Sequence, residues 1–574
     1  MINHINPQFR RNNITSLSGA WSFRFDENKV GEKEKYYVGF EKQYDINVPF
    51  SYTCKESNVN IQKHVDVIWY LKEIELTKED LLFDLYLNCE GIDEIATVYL
   101  NGHFVGKHIG GNSSFKVLLN SEAKVGKNLI VIKVEDDYSL AKARGKQRWK
   151  DYMYGCWYVP TYGIYKPIYL ERVNHTHLDY FKLTPKMDEV LLDIDYVIDN
   201  YVEGLKLKVT LKFKDTTYRE LITTIDEDSG RISLNLNSSK FEYQVRFWAP
   251  HDPNLYDLEL ELIKDEKTID KVYSYFGVSE YIVSGNNVLL NGFSYISKMV
   301  LYQGYSKDGY LTPKGDEEMI KDINNIKSLG FSGIRCHQYI PTERFLYLCD
   351  AIGLSVWIEY PSQHLFSQKA KETIVNEWKD IIKVKSNHPS VFAYVIYNES
   401  WGIRGVKSNK EQQDFVDMMY RFTKAFDPNR IVISNDGWEH VSSDIVTLHN
   451  YYQDAKRMEQ FYKGERHLCG TRDDFAFGYE KDNKPIFLTE YGGCSLGKID
   501  SNNGEWGYGN GASNLEEFYN RFASFAEMMK NVGFKGYCYT QYRDVQQEKN
   551  GLADEEGNLK VDPTKIKKII DEIY

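Results

Sequence analysis

The sequence predicts a multidomain protein in which two β-sandwiches precede an eight-fold β/α barrel. Its 574 residues are too many for one compact core and correspond to about three domains. Up to Gly277 the chain consists of short apolar strands between turn signals, and beyond it helical windows alternate with short apolar runs. We therefore expect domains at residues 1–172, 173–277 and 278–574.

The first segment has the pattern of an all-β sandwich. Residues 16–23 (SLSGAWSF) begin with a turn and continue with alternating apolar positions. Residues 94–100 form a predicted strand that runs into Asn101-Gly102, a pair that favours a tight hairpin. Helical periodicity is scarce throughout this segment, so strands should dominate it.

The second segment has cleaner alternation. Residues 205–213 (LKLKVTLKF) place apolar and polar side chains on opposite faces, as expected of a strand with one buried and one solvated face. Residues 255–262 (LYDLELEL) repeat the pattern. Short alternating strands over roughly a hundred residues fit an immunoglobulin-like sandwich. No Cys-Trp-Cys core pattern is present.

The third segment alternates between helices and strands. Residues 316–329 have helical periodicity, and Gly330 follows where a helix C-cap belongs. Residues 331–335 (FSGIR) and 355–359 (SVWIE) are predicted strands, and residues 565–573 form a predicted last helix. Strand–helix alternation over nearly 300 residues is what a (β/α)8 TIM barrel requires.

Charge and composition exclude several classes of function. The net charge is −12 and no basic stripe is present, which argues against a nucleic-acid or anionic-membrane partner. No apolar run reaches membrane-spanning length, and no apolar signal core follows Met1. The eight cysteines are scattered, without zinc-type spacing. We expect a cytoplasmic protein without a cofactor or an obligatory metal.

Two apolar runs end in glutamates. Residues 391–398 (VFAYVIYN) lead into Glu399, and residues 485–489 (PIFLT) lead into Glu490. A carboxylate at the end of a buried strand is costly unless it is paired or functional, and parallel barrels carry their chemistry where strands end. The alternative is that both glutamates are surface residues at loop starts. Two such glutamates on one barrel suggest a pair that hydrolyses glycosides.

The chain resembles glycoside hydrolase family 2, which includes β-galactosidases, β-glucuronidases and β-mannosidases. The matching fragments occur in family order, at residues 16–21, 98–102, 163–171, 248–256, 290–292, 330–335, 349–354, 387–390, 398–399 and 489–493. The resemblance implies a jelly-roll-like sandwich, an immunoglobulin-like sandwich and a catalytic barrel. It also implies a retaining mechanism, with Glu399 as general acid/base and Glu490 as nucleophile.

The resemblance also implies substrate-binding roles for other residues. Asn398 matches the asparagine that hydrogen-bonds the sugar 2-hydroxyl. Tyr451 matches the tyrosine that hydrogen-bonds the nucleophile, with Tyr452 as the alternative. We expect Arg335 to pair with Glu490 and lower its pKa. Further candidates for sugar contact are His449, His337, Trp401, and Tyr539 as an apolar floor.

The sequence constrains the sugar specificity less than it constrains the catalytic pair. Glucuronidases of the family read the substrate carboxylate with an Asn-x-Lys motif, whereas residues 546–551 here are QQEKNG, and Glu548 would repel an acidic sugar. Arg543, Lys549 or Arg404 could still reach such a carboxylate. We therefore expect an exo-β-glycosidase that resembles β-galactosidases and acts on a small oligosaccharide or glycoside.

Several alternatives stay open. Within the family they are β-glucuronidase, β-mannosidase, arabinopyranosidase and galactofuranosidase activity. Outside catalysis, the chain could be a sugar-binding protein on an inactive hydrolase scaffold. The sequence leaves open a homo-oligomer, and it leaves open whether the first domain reaches the active site. Trp157 stands where related enzymes carry a sugar-binding aspartate, and Asp151 is a candidate replacement.

Overall fold

A computed structural model describes residues 2–237, 245–464, 474–480, 482–497 and 499–573 of the chain. It has two β-sandwiches followed by an eight-stranded parallel barrel, as the sequence predicts. No helix in these ranges is long and apolar enough to cross a membrane. The seven cysteines within them form no disulfide, and Cys469 lies outside the described residues.

Twelve strands, numbered β1 to β12 in chain order, build the first sandwich. They are Ile14–Ser16, Gly19–Phe25, Tyr44–Val48, Val67–Leu76, Asp84–Cys89, Ile92–Asp93, Ile95–Leu100, His103–Ile109, Phe115–Leu118, Gly126–Glu135, Gly163–Ile164 and Ile168–Val173. A six-stranded sheet, β3-β2-β4-β10-β7-β8, faces a four-stranded sheet, β1-β12-β5-β9, across a shared apolar core. The predicted hairpin joins β7 to β8, where Asn101 and Gly102 both adopt positive φ, of 52° and 87°.

Nine strands of the described residues, β13 to β21, form the second sandwich. They are His177–Lys186, Leu191–Asp199, Leu205–Phe213, Thr216–Ile225, Ser229–Asn235, Trp248–Ala249, Asp252–Pro253, Tyr256–Lys264 and Lys267–Phe276. The sheets β13-β14-β17 and β16-β15-β20-β21 enclose a separate core. The alternating run at residues 205–213 is strand β15, and its apolar side chains face this core.

The remaining strands, β22 to β34, belong to the third part. They are Tyr281–Ser284, Asn287–Leu290, Phe293–Ser294, Ser297–Tyr302, Gly333–Cys336, Ser355–Glu359, Val391–Asn398, Ile431–Asp436, Val446–Asn450, Ile486–Gly492, Cys494–Leu496, Tyr508–Ala512 and Gly536–Thr540. Eight of them form one parallel sheet in the order β29-β28-β27-β26-β25-β34-β31-β30. Its edge strands β29 and β30 approach each other and nearly close the barrel, where the Gly437 amide donates to Thr447 Oγ1 at 3.0 Å.

In the described part of the chain, seven α-helices, α1 to α7, surround this sheet: Asp316–Ser328, Glu343–Ile352, Gln368–Lys385, Lys410–Phe426, Ala455–Lys463, Leu515–Val532 and Pro563–Ile573. Side-chain caps fix several starts; Ser367, for example, accepts from the Ala370 amide at the start of α3. After α1, Gly330 has a φ of 92° and turns the chain into β26. Apolar side chains, among them Trp357, Phe392 and Phe487, fill the barrel interior, and the β22–β24 hairpins cover its amino-terminal end.

A long loop of the first sandwich, residues 136–162 between β10 and β11, crosses to the mouth of the barrel. We call it the 136–162 loop. The Gly145 amide donates to the Ser362 carbonyl at 3.0 Å, and Trp506 Nε1 donates to the Gly155 carbonyl at 2.8 Å. These two hydrogen bonds hold the loop against the carboxyl ends of the barrel strands, where the candidate site lies.

Candidate active site

Polar side chains gather at the carboxyl ends of the barrel strands. Because all eight strands run parallel, these ends share one rim. We call the group the strand-end cluster; its members are Arg335, Glu359, Asn398, Glu399, Asp436, His449, Tyr451 and Glu490. Strand register explains the grouping, since Asn398 pairs with Asp436 and His449 pairs with Glu490 across neighbouring strands.

Arg335 is the centre of the strand-end cluster and is fully buried. Its Nε donates to Glu359 at 2.7 Å, and its Nη1 donates to Glu490 Oε1 at 2.7 Å. Its Nη2 lies 2.8 Å from Asn398 Oδ1 and 2.9 Å from Asp436 Oδ2. The sequence predicts the contact with Glu490, and the other three partners fix the guanidinium in one plane and orientation.

Glu490 is buried, and both of its oxygens have partners. Oε1 accepts from Arg335, while Oε2 accepts from the Tyr451 hydroxyl at 2.6 Å. Burial raises the pKa of this carboxyl, but the positive charges of His449 and Arg335 outweigh burial and lower it to about 2. Glu490 is therefore ionised at any pH near neutrality.

Glu399 follows β28 directly, in an unusual backbone conformation. Glu399 and Ser400 have φ values of 49° and 55°, in the left-handed region that non-glycine residues rarely adopt. Two hydrogen bonds hold this turn: the Glu399 amide donates to the Asp436 carbonyl at 3.0 Å, and the Ser400 amide donates to Asn435 Oδ1 at 2.9 Å. Backbone strain of this kind is concentrated at functional sites, and here it aims the Glu399 carboxyl at His449.

His449 lies between the two glutamates. Its Nδ1 is 2.8 Å from Glu399 Oε1 and 3.5 Å from Glu490 Oε2, and its Nε2 is 3.4 Å from Asp436 Oδ2. Burial lowers the pKa of this imidazole, but Glu490 and Asp436 outweigh burial and raise it to about 10. Ligand atoms of Glu399, His449 and Glu490 all lie within 4.8 Å of one another, a spacing that could hold a metal ion. A protonated imidazole offers no lone pair, so the cluster as it stands favours hydrogen bonding.

Two other predicted residues, His337 and Trp401, lie beside the strand-end cluster. His337 is buried beside the strand-end cluster, with its Nδ1 3.0 Å from Glu359 Oε1. Burial lowers the pKa of His337 well below its ordinary value, so its imidazole is neutral. Trp401 lies 6.4 Å from the His337 ring, measured between centroids, and forms one wall of the mouth.

Tyr539 is not brought to the cluster. It packs on the outside of the barrel against Phe522 of α6, with ring centroids 5.1 Å apart. The next residue, Thr540, takes the inward position instead, where its Oγ1 lies 3.1 Å from the Tyr451 hydroxyl. Successive side chains of a strand point to opposite faces, so Tyr539 and Thr540 cannot both face the barrel interior.

The 136–162 loop places two side chains at the mouth. Trp157 stacks on Trp401 with centroids 5.8 Å apart. Lys146 is buried, and its Nζ lies 3.8 Å from Glu548 Oε2. Burial lowers the pKa of this ammonium, but Glu548 and, at longer range, Glu490 outweigh burial and raise it. Asp151, the other candidate of this loop, is exposed and accepts a hydrogen bond from Tyr138.

Sequence reasoning missed four residues here. Glu359 and Asp436 end β27 and β29. Glu359 follows an apolar run directly, and Asp436 follows one after Ser434 and Asn435, a pattern similar to the one that identifies Glu399. The sequence pattern therefore marks both residues as candidates. Thr540 and Lys146 carry no comparable signal, because strand parity and loop docking decide their positions.

Comparisons with known proteins agree with this architecture. The model described as "Glycosyl hydrolases family 2, TIM barrel domain" matches residues 285–573, and the model described as "Glycosyl hydrolases family 2" matches residues 176–278. A β-glucuronidase structure from an uncultured Clostridium species is similar over 98% of this chain and 99% of its own, with a TM-score of 0.80 and 18% identity.

Two curated relatives are similar in sequence. A putative β-glucuronidase of Formosa agariphila is 24% identical over 78% of this chain and 53% of its own length. A β-galactosidase of Thermoanaerobacter pseudethanolicus is 24% identical over 83% of this chain and 59% of its own length. The chain thus spans little more than half the length of these two relatives. Together with the strand-end cluster, the two family matches show that the chain belongs to glycoside hydrolase family 2.

Proposed function

We propose that the chain is a retaining exo-β-glycosidase that works by double displacement through Glu399 and Glu490. The observation that carries this proposal is the spacing of the two carboxyls, whose nearest oxygens lie within 4.8 Å of each other. Retaining enzymes place their carboxyl groups about 5–5.5 Å apart, whereas inverting enzymes leave about 6.5–9.5 Å for a water molecule. A spacing this short supports the retaining arrangement.

Glu490 is the proposed nucleophile. It must be ionised to attack the anomeric carbon, and Arg335, Tyr451 and His449 all stabilise its charged form. When the glycosyl ester forms, that charge disappears, and the positive groups around Glu490 are left facing a neutral ester. They therefore also favour expulsion of the carboxylate in the second step, which returns the enzyme to its starting state.

Glu399 is the proposed general acid/base. Its carboxyl is the more accessible of the pair, with 17% of the side chain exposed against 8% for Glu490. That places it on the side from which a leaving group departs and water enters. It would protonate the glycosidic oxygen in the first step and activate water in the second. Asn398, held through its amide oxygen by Arg335, presents its amide NH2 for the sugar 2-hydroxyl.

The 136–162 loop supports the exo mode. It covers one side of the mouth, where Trp157 and Trp401 stack and Gly145 is bonded to Ser362. The end of an oligosaccharide can enter a mouth that is closed on one side, whereas cleavage at an internal sugar needs an open groove. The proposed substrate is therefore a terminal sugar of a small oligosaccharide or glycoside.

A covalent trap tests the mechanism. A dinitrophenyl 2-deoxy-2-fluoro-β-glycoside should label wild-type protein with one glycosyl group on Glu490, as seen by intact mass and peptide mapping. Glu399→Gln should still be labelled, because dinitrophenolate leaves without protonation, whereas Glu490→Gln should not. Label on any other residue, or a product whose first NMR-observed anomer is α, would overturn the proposal. A sugar-binding protein would take up no label at all.

The proposed sugar is neutral, with β-galactoside as the leading candidate. Where glucuronidases of the family carry Asn-x-Lys, Glu548 is buried and accepts hydrogen bonds from Tyr158 and from Asn550 Nδ2, the latter at 3.2 Å. Arg543 points away, since it pairs with Asp322 and Glu318. We expect kcat/KM for nitrophenyl β-galactoside to exceed that for the β-glucuronide.

A β-uronide is the second candidate, because of Lys146. Glu548 does not face the mouth as a lone negative charge, since the Lys146 ammonium lies 3.8 Å from it. The same ammonium lies close enough to Glu490 for their charges to interact, so it borders the sugar site. A cation in this place could bind a sugar carboxylate from the first sandwich. A kcat/KM preference for the β-glucuronide would select this candidate and reject the neutral sugar.

A further inference from the structure

The first strand pair of the second sandwich brings three metal-binding side chains together. His177 of β13 lies opposite Asp199 of β14 in the strand register. Asp179 is the unpaired extra residue where the register shifts between Leu178 and Tyr180. One ligand atom from each of His177, Asp179 and Asp199 lies within 4.8 Å of the other two.

The imidazole of His177 has a defined tautomer. The side chain is 1% exposed, and its Nδ1 lies 2.9 Å from the Asn174 carbonyl oxygen and 3.3 Å from that of His175. Carbonyl oxygens only accept hydrogen bonds, so Nδ1 must carry a proton. Nε2 is then the atom with the free lone pair, the state in which histidine binds metals.

Nε2 of His177 is unsatisfied. It has no hydrogen-bond partner among the described residues, and Oδ2 of Asp199 lies 3.8 Å away. A buried lone pair that faces a carboxylate is unfavourable unless a cation or proton lies between them. Two ligands that each lie about 2.0–2.2 Å from a metal ion can be separated by such a distance.

We propose that His177, Asp179 and Asp199 form a binding site for a divalent transition-metal cation such as Zn²⁺. One imidazole nitrogen and two carboxylate oxygens match the ligands that Zn²⁺ prefers, whereas Mg²⁺ and Ca²⁺ prefer all-oxygen sites. All three ligands belong to the second sandwich, so the ion would tie β13 to β14. A histidine that binds a metal commonly donates its other ring N–H to a carbonyl or carboxylate oxygen, and this hydrogen bond fixes the orientation of the ring. Nδ1 of His177 makes such a hydrogen bond to the Asn174 carbonyl.

Lys116 of the first sandwich is the competing cation. Its ammonium contacts Asp179 and lies over the Tyr86 ring, 4.3 Å from the centroid. The nearby Arg11 is already balanced by Asp270 at 2.8 Å and Glu171 at 3.0 Å. Lys116 is therefore the cation that competes with a metal ion for the charge of Asp179. A cavity of about 370 Å³, lined by His177, Asp179 and Lys116 among others, gives an ion access.

Zn²⁺ itself is the probe. Equilibrium dialysis of the full chain should show that His177→Gln loses one bound Zn²⁺ per chain relative to wild type. Asp199→Asn should weaken the same site, and Lys116→Met should strengthen it because the competing ammonium is gone. His175→Gln is the matched control: that side chain is 76% exposed and two residues away, so its Zn²⁺ content should equal that of wild type.

Two further measurements separate metal binding from a folding defect. Zn²⁺ should raise the Tm of wild type more than that of His177→Gln, since only a ligand that binds the folded state stabilises it. An anomalous difference map from a Zn²⁺-soaked crystal should place a peak about 2.0–2.2 Å from His177 Nε2. Equal Zn²⁺ content in wild type and both ligand variants, weaker binding by Lys116→Met, or no peak at His177 would overturn the proposal.

Discussion

Tyr451 donates its hydroxyl hydrogen to Oε2 of Glu490 at 2.6 Å, on the opposite side of the carboxylate from Arg335. The Tyr451 ring is held for this contact, since it stacks on Tyr508 with centroids 3.6 Å apart and an interplanar angle of 4°. The hydroxyl also lies 3.1 Å from Thr540 Oγ1. A phenol fixed in this way stabilises the charge of the carboxylate and leaves its orientation little freedom.

Tyr451→Phe should lower kcat by about 10- to 100-fold, because a hydrogen bond to a charged group contributes about 1.5–3 kcal/mol. Losing the donor should also move the acidic limb of kcat/KM to higher pH, since the ionised form of Glu490 is less stabilised. Steady-state rates across pH measure both effects. Tyr452→Phe is the control, because that neighbouring ring is 37% exposed, and its profile should match wild type. An unshifted acidic limb in Tyr451→Phe would contradict the role of the phenol.

The sequence predicts much of this site because a carboxylate at the end of an apolar strand costs folding free energy unless it has a partner or a function. Glu399, Glu490, Glu359 and Asp436 all lie at the ends of barrel strands, and burial makes the last three depend on a partner. Arg335 is the common partner of Glu359, Glu490 and Asp436. The three-part fold follows from the same kind of pattern, since residues 205–213 and 391–398 form strands at the predicted positions.

The side-chain positions that the sequence does not predict depend on tertiary structure. Tyr539 differs from its expected position because the parity of β34 turns it towards Phe522 and turns Thr540 inwards. Lys146 is far from both glutamates along the chain, and only the docking of the 136–162 loop brings it to the mouth. Local patterns carry no information about either outcome.

Glu399→Ala should lose activity in a way that depends on the leaving group. Hydrolysis of a nitrophenyl or alkyl glycoside should fall strongly, whereas a dinitrophenyl glycoside should still form the covalent intermediate, because its leaving group needs no proton. Added azide should then restore turnover and give a β-glycosyl azide, identified by NMR. An α-configured azide, or equal losses with good and poor leaving groups, would remove Glu399 from the acid/base role.

Lys146→Met tests the choice between the two proposed sugars. If the ammonium binds a sugar carboxylate, kcat/KM for nitrophenyl β-glucuronide should fall about 10- to 100-fold more than that for the β-galactoside, the range expected for a lost charged hydrogen bond. If the substrate is neutral, both values should fall by similar factors. Lys549→Met is the matched control, because Lys549 pairs with Glu555 at 2.6 Å, and neither substrate should respond to that change.

Glu377 links the barrel to the first sandwich. Its Oε1 accepts from the Asn112 amide of that sandwich at 2.9 Å, and its Oε2 accepts from the Tyr360 hydroxyl at 2.6 Å. Burial raises the pKa of this carboxyl to about 7, against an ordinary value of 4.5. The folded protein therefore holds a proton on Glu377 at pH values where the unfolded chain has already released it.

Glu377→Gln should remove a pH dependence of stability. Because the folded pKa lies above the unfolded pKa, the contribution is fully present below pH 4.5 and is lost as pH rises to about 7. Relative to wild type, the variant should gain up to about 3 kcal/mol of unfolding free energy across this window. Denaturant unfolding at several pH values measures the change. Glu372→Gln, at an exposed position on the same helix, should follow wild type at every pH. Parallel pH curves for Glu377→Gln and wild type would show that Glu377 stays ionised in the folded protein.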